Sequence, residues 1–466
     1  MLKIPISPLL AMTMGMVCAH ASNILEYKAA PDGKTINTAA IQKAIDDCTA
    51  QGGGTVVVPA GVFVTGMLAL KSNVELHLDA GATLRATVAP GEYPALILID
   101  KVDHVAITGT GTFDGMGQSY PVKNESPGRP YLCYCKRSKD IRIENVTFRQ
   151  SAMWTVRLHA CERVIVKGVS IYSHANYNND GIDIDSKDVT ISDCHIDSTD
   201  DGICFKSDDK DRLCENVVVT NCIIASNCNL IKFGTSSWAG FKNIAISNCV
   251  LQKATESPLL KWSDKEGPFA NDKKEHYIED PITGISGIAL EVVDGGIMDQ
   301  VSISNITMTG VQTPIFIRLG SRHNPTGSLK NVIIGNIIAT SRSRMSSCIS
   351  AVDGFYIENV TLHDIILRSP GGGSEEDAQS PVPERPAVYP ENRMFGWTLP
   401  AYGIYIRHAR NITLTNIQLY LDKPDLRPAL WLEDAHQVRL TSLRADNSPN
   451  PDKLIKKVNV TDFESK

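Results

Sequence analysis

Asn178 to Ser207 reads NNDGIDIDSKDVTISDCHIDSTDDGICFKS, and within it Asp180, Asp200 and Asp201 are the residues best placed to do chemistry. Asp-Gly-Ile is written twice, at Asp180-Gly181-Ile182 and at Asp201-Gly202-Ile203, 21 residues later. Turn formation accounts for an isolated Asp-Gly. A turn needs only one aspartate, however, so the consecutive Asp200-Asp201 pair calls for another reason. Like charges held close raise at least one pKa, so one carboxylic acid keeps its proton while another stays ionised. A general acid beside a general base is what hydrolysis of a glycosidic bond requires.

The elements that must gather these aspartates are repeats. A polar or turn residue, two or three alternating β-branched residues and an asparagine five places on recur as DIRIENVTF from Asp140, NVVVTNCII from Asn216, NIAISNCVL from Asn243, QVSISNITM from Gln300, NVIIGNIIA from Asn331 and NITLTNIQL from Asn411. Weaker copies start at His104, Arg163, Asp188 and Gln437. Neighbouring starts from Asp140 to Asn243 lie 23, 25, 28 and 27 residues apart, and larger gaps near 57 read as about two such units. Each copy is too short to bury its own apolar face or to hold a crossover helix, so stacking copies in parallel is what buries a core. The expected fold is all-β, a solenoid of parallel coils. Asn145, Asn221, Asn248, Asn305, Asn336, Asn359 and Asn416 read as one structural ladder of turn amides. Ile36 to Gln51 is the amphipathic helix, with Ala39, Ile41, Ala44 and Ile45 on its apolar face, and it is expected to cap the N-terminal end.

Aligning the coils turns the paired Asp-Gly-Ile into geometry. Asp180-Gly-Ile-Asp-Ile, Asp201-Gly-Ile-Cys-Phe, Asn229-Leu-Ile-Lys-Phe and Pro258-Leu-Leu-Lys-Trp follow at 21, 28 and 29 residues. Ile182, Ile203, Ile231 and Leu260 fall in register as inward rungs, as do Ile184, Phe205, Phe233 and Trp262. Parallel coils are about 4.8 Å apart, so Asp180 and Asp201 meet, with Asp200 beside them. Lys232 and Lys261 share one outward phase and are candidates for a small cationic row facing a ligand carboxylate. Asp183 and Asp185 are also outward, while the place of Lys206, two positions further along its strand, is left undecided.

Composition narrows the partners. A formal net charge of −6 offers no basic stripe for phosphates, so nucleic acid is not expected. The first 21 residues, MLKIPISPLLAMTMGMVCAHA, read as an export leader with an apolar run too short to span a bilayer, and no membrane association is expected. The mature unit, 22–466, then holds 11 of the 12 cysteines, which excludes complete intramolecular pairing. Cys194, Cys222 and Cys249 repeat in phase and read as a stack of small buried side chains; no structural metal and no cofactor are expected. Lys261 to Gly287 and the Gly-, Pro- and Glu-rich stretch at about 370–400 break the rhythm, and the latter is expected to wall one side of a groove. A monomer is expected.

Asn178-x-Asp180, followed about 20 residues on by Asp200-Asp201 and then Ile203-x-x-Lys206-Ser207, resembles the core motif of glycoside hydrolase family 28, the polygalacturonases and their relatives. DGKTINTAAIQKAIDDC, GGGTVVVPAG and LKSNVELHLDAGATL also resemble that family's N-terminal coils. The resemblance implies a right-handed parallel β-helix and inverting hydrolysis. Asp200 would be the general acid, Asp180 and Asp201 would position and deprotonate water, and Asn178 would hold the site. Two departures stand out: Asn229, in Cys228-Asn229-Leu230, occupies the place of the family's histidine, and Leu259 that of its substrate-clamping arginine. The expected partner is a pectic or related uronate-containing polysaccharide or oligosaccharide. Two other functions stay open: a β-helix polysaccharide lyase, in which the aspartates would bind calcium, and a glycan-binding solenoid without catalysis.

Overall fold

The computed structural model describes residues 20–89, 91, 93–122, 128–259, 282–323, 325–396, 398–446, 448–449 and 451–466. Leader residues 1–19 and the candidate ligand Lys261 lie outside the described residues; His20 and Ala21 fall in a strand, His20–Asn23, that pairs with Gly54–Val58.

Each coil contributes to three parallel sheets, and one inward residue per coil defines each sheet's core rung. On the sheet that carries the aspartates, Leu158, Ile184, Phe205, Phe233, Leu290, Ile317, Ile349, Ile406 and Leu432 pair in succession. On the second, Ile141, Val164, Val189, Val217, Ile244, Val301, Val332, Val360, Ile412 and Val438 do so. On the third, the row runs Phe148, Ile171, Ile196, Ile224, Leu251, Met308, Ala339, Leu367 and Leu419. These rows meet in one continuous buried cluster, and the Phe205 and Phe233 rings stack at 4.2 Å within it. The chain is a right-handed parallel β-helix.

Two corners of each coil are turned by left-handed residues, and this is why asparagine recurs there. Asn216, Asn243, Asn331, Asn359 and Asn411 lie at φ of 51–58° on the corner before the second sheet, and Asn145, Asn221, Asn248, Asn305, Asn336 and Asn416 at 51–62° on the corner after it. Asparagine tolerates that region better than other side chains do. Its amide also bonds the next coil: Asn243 donates to Asn216 at 2.8 Å, Asn359 to Asn331 at 2.8 Å and Asn336 to Asn305 at 3.0 Å. There are thus two ladders, and Asn359 belongs with Asn331 and Asn411, not with the other six residues grouped with it from the sequence.

The long gaps are single coils with excursions. Val301 pairs directly with Ile244 across the 57-residue gap, and Asn305 donates to Asn248 at 3.1 Å. Ile412 likewise pairs with Val360, and Asn411 donates to Asn359 at 2.8 Å. Reading 57 residues as two units was therefore incorrect: the ladder closes over the excursion, because parallel pairing depends on strand register and not on the length of the connection. The same correction moves the rung beyond Lys232. Its neighbour is Ala289, with Ile288 and Leu290 in the places expected for Leu260 and Trp262. Ala289 thus takes the place expected for Lys261 beside Lys232.

The α-helix Thr38–Ala50 buries Ile41, Ala44, Ile45 and Cys48 over the first coil, while Ala39 and Ile36, expected on that face or start, are exposed. Cys194, Cys222 and Cys249 are free and fully or almost fully buried. Residues 372–400 leave the solenoid and return across the aspartate-bearing sheet. Arg407 donates to the carbonyls of Val382 and Pro383, Arg318 to that of Glu384 at 2.8 Å, and Met394, Phe395 and Leu399 pack with Phe316, Cys348 and Tyr405.

Asn331 donates to Asp299 at 2.7 Å as well as accepting from Asn359. Replacing it with alanine at φ 58° is expected to cost about 1–2 kcal/mol. Asn331→Gly should cost less, since glycine takes that φ freely; chemical denaturation midpoints of the three proteins check the order.

Candidate active site

The Asp-Gly-Ile repeat is a backbone requirement as much as a chemical one. The Gly181 N–H donates to the Asp201 carbonyl at 2.9 Å, and the Gly202 N–H to the Asn229 carbonyl at 2.8 Å, so Asp180, Asp201 and Asn229 occupy one position in three successive coils. A Cβ on Gly181 would sit 2.4 Å from the Gly202 carbonyl oxygen, and one on Gly202 2.7 Å from that of Leu230. Only glycine permits so close an approach.

Oxygen atoms of Asp180 and Asp201 lie within 4.8 Å of each other, as do oxygens of Asp200 and Asp201. The Asp201 N–H donates to Asp200 Oδ1 at 2.9 Å, and the Asp200 carbonyl accepts from Ser198 at 2.9 Å and Ser226 at 2.6 Å, which anchors the pair. Asp180 and Asp201 are buried, and Asp200 is half-buried.

Two buried lysines organise the charge. Lys206 Nζ is 3.3 Å from Asp183 Oδ1 and 3.9 Å from Asp180 Oδ2, and lies 4.6 Å over the Trp154 ring. Lys232 Nζ is 3.6 Å from Asp201 Oδ2 and 3.8 Å from Glu291 Oε2, and it donates to the Tyr389 hydroxyl at 3.1 Å. Asn229 completes the Asp201 shell: its Nδ2 and its backbone N–H both donate to Asp201 Oδ1, at 2.8 and 3.1 Å.

Five carboxyl groups thus share two ammonium groups, and they cannot all be charged. Burial pushes Asp180 well above the usual carboxylate range, and Asp183 and Asp200 add to the shift. Asp200 is raised by burial and by Asp201. Asp183 is raised to about 6 by burial, despite Lys206 and Arg157, and Glu291 to about 8 by burial, despite Lys232. Asp201 alone moves the other way: burial disfavours its charge, but Lys232, Lys206 and the Asn229 amide outweigh it and hold the group below its ordinary value. The site therefore sets an Asp200 raised above its ordinary range beside an Asp201 held below it.

Of the residues expected from sequence, the structure brings Asp180, Asp200, Asp201, Asn229 and Lys232 together. Asn178 stands next to Asp180 at φ 55°, its Oδ1 held by Arg129 Nη2 at 2.8 Å. Lys232 faces carboxylates and a tyrosine, not open solvent. Lys206 belongs to the centre, as do Asp183 and Glu291. The outward phase of Lys206 and Asp183 was a usable signal. Glu291 was hidden by the misread 57-residue gap, and Tyr389 lies 157 residues from Lys232 on the stretch expected to wall a groove, with nothing in the sequence to pair the two.

Metal-ligating atoms come within 4.8 Å of one another in three groups among the described residues: Asp180, Asp201 and Cys204; Asp200, Asp201 and Cys228; and His159, Asp185 and Asp208. Lys206 lies beside the first, Lys232 beside both of the first two, and Arg157 and Arg212 beside the third.

A buried carboxyl whose pKa is raised on folding contributes its full stability below its unfolded value and loses it as pH rises through the folded value. For Glu291 that window runs from 4.5 to about 8. The wild type is expected to lose stability across it, and Glu291→Gln to flatten the decline, as read by denaturation midpoints at a series of pH values.

The model of the glycosyl hydrolases family 28 matches residues 48–264, a span holding Asn178, all three aspartates, Asn229 and Lys232. A probable polygalacturonase of Vitis vinifera is 32% identical over 219 residues, 41% of this chain and 45% of the relative. An exopolygalacturonase of Platanus acerifolia is 22% identical over 380 residues, 75% of this chain and 91% of the relative. The match thus spans less than half of the grape protein but most of the plane-tree one. Among solved structures, the exopolygalacturonase of Thermotoga maritima superposes with a TM-score of 0.64 at 20% identity, covering 86% of this chain and 92% of that one, a likeness of fold. Residues 48–264 thus match glycosyl hydrolases family 28, and the carboxylate cluster and the β-helix agree with that match.

Proposed function

We propose that the protein is an exported glycoside hydrolase that cleaves a pectic or related uronate-containing glycan with inversion at the anomeric carbon. The observation that carries this reading is the opposite pull on two adjacent carboxyls, Asp200 pushed above its ordinary range by burial and Asp201 held below its own by Lys232, Lys206 and Asn229. Asp200, the more exposed, donates its proton to the glycosidic oxygen. Asp201 takes a proton from water, and Asp180, within 4.8 Å, shares that water's other hydrogen bond. Lys232 and Asn229 keep Asp201 charged and oriented, and Lys206 ties Asp180 to Asp183. With Lys232 committed to Asp201, Lys261 is the remaining candidate ligand for the substrate carboxylate. Relatives named as polygalacturonases support the substrate class. Support for export is the apolar run before Ala19-His20-Ala21, and no helix among the described residues is long and apolar enough to cross a membrane.

Nearest oxygens of Asp200 and Asp201 fall within 4.8 Å, closer than the roughly 6.5–9.5 Å typical of an inverting acid and base and nearer the roughly 5–5.5 Å of retaining pairs. The inverting assignment rests instead on a third carboxylate, Asp180, placed to hold the water with Asp201. Proton NMR of the first product decides between the two: inversion is expected, and a product that keeps the substrate's anomeric configuration would remove the water-holding role of Asp180.

A reducing-end assay on pectic polysaccharides, in chelator throughout, tests the reaction class. Release of reducing sugar without an unsaturated uronate is expected, and Asp200→Asn should lower kcat by about 10²–10⁴-fold while remaining folded. An unsaturated product, or loss of activity to the chelator, would point to a lyase; binding without release would point to a glycan-binding solenoid.

A further inference from the structure

A cavity of about 430 Å³ beside the carboxylates takes no part in the chemistry above; His159, Asp208, Asp209, Lys210, Arg212 and Trp238 line it. A larger one, about 660 Å³, lies on the second sheet's face around Glu75, Asp140 and Arg163, away from the aspartates. The smaller cavity adjoins the site through Arg157, which pairs with Asp208 of its lining and lies 4.8 Å over Trp154, the ring that Lys206 also covers. Asp185 beneath it and Asp183 beneath Lys206 are two residues apart on one strand, about 6.6 Å.

Trp238 is 39% exposed, unusual for so large a ring. It is also firmly placed. Its backbone N–H donates to the Ser207 carbonyl at 2.9 Å, and His323 backs the ring at 4.9 Å and 16°. The preceding Ser237 donates its N–H to Asp294 Oδ2 at 3.1 Å and accepts the Val293 N–H at 2.9 Å. A rigid, exposed aromatic in a polar cavity is the arrangement by which pockets hold an amphipathic ring.

The polar lining has capacity to spare. Arg212 donates to Asp185 Oδ2 at 2.7 Å, yet its Nε is buried without a partner, as are Arg157 Nη1 and Asp185 Oδ1 beside it. Lys210 is exposed and makes no ion pair among the described residues. Charge along the lining is balanced, with Asp208 and Asp209 against Lys210 and Arg212. With no surplus of either sign, the cavity suits a neutral ligand rich in hydroxyls better than a polyanion.

We propose that this cavity is an accessory glycan subsite that takes a neutral pyranose of the substrate, its apolar face on Trp238 and its hydroxyls on Asp209, Lys210 and Arg212. The proposal rests on the hydrolase reading and adds to it that neutral sugars near the scissile bond are recognised.

Steady-state kinetics of wild type, Trp238→Ala and Trp238→Phe on linear polygalacturonan and on a pectic oligosaccharide with neutral galactosyl branches test it. Trp238→Ala is expected to raise KM for the branched substrate about tenfold with kcat unchanged, to leave the linear substrate unaffected, and to be largely rescued by Trp238→Phe. Unchanged KM on the branched substrate, or equal loss of kcat on both substrates, overturns the subsite and leaves the hydrolase standing. If wild type turns over neither substrate, the hydrolase reading fails on its own. Calorimetric titration with the branched oligosaccharide then decides the subsite: binding weakened by Trp238→Ala supports it, and equal binding by both proteins overturns it.

Discussion

Hydrogen bonding between parallel coils at about 4.8 Å is the constraint on which everything else in this protein depends. It requires that residues at one phase stack, whatever their charge. On the inward phase that requirement builds a core from isoleucine, valine, leucine and phenylalanine rungs. On the outward phase of one sheet, the same spacing forces Asp180, Asp201 and Asn229 into adjacent places and draws in Asp183, Lys206, Lys232 and Glu291. A solenoid cannot relax such a crowd by moving one coil away, because the ladder hydrogen bonds on all three sheets would go with it.

Unequal environments resolve that crowding. Lys232 and the Asn229 amide converge on Asp201, while Asp200 has no cation within ion-pair distance among the described residues and Asp180 shares Lys206 with Asp183. The opposite shifts of Asp200 and Asp201 thus follow from the placement of two ammonium groups and one amide. Asn229 deserves weight here: a neutral amide donor orients Asp201 without adding a second titrating group.

Excursions supply what the repeat cannot. Because strand register is indifferent to loop length, the chain leaves the solenoid after Lys253 and again after Gly371 and resumes the ladder each time. The second excursion returns over the aspartate-bearing sheet, where buried Arg318 and Arg407 bind its carbonyls and Tyr389 reaches Lys232. Sites assembled from loops on a rigid scaffold are a common division of labour.

The amino-acid sequence by itself determined the coil: the alternation of apolar residues, the asparagines at left-handed corners and the doubled Asp-Gly-Ile are local features, and local features are legible. Asp180, Asp200, Asp201, Asn229 and Lys232 could be aligned because they sit within consecutive, uninterrupted repeats. Tertiary structure decided the rest. That Ala289 follows Lys232 depends on where the ladder closes after an excursion, and spacing cannot tell one long coil from two short ones. That Lys206 and Lys232 face carboxylates, that Glu291 is buried with them and that Tyr389 arrives from 157 residues away are consequences of packing between distant segments. Protonation belongs to that level too, since it is set by burial and by neighbouring charge, and neither quantity exists until the chain is folded.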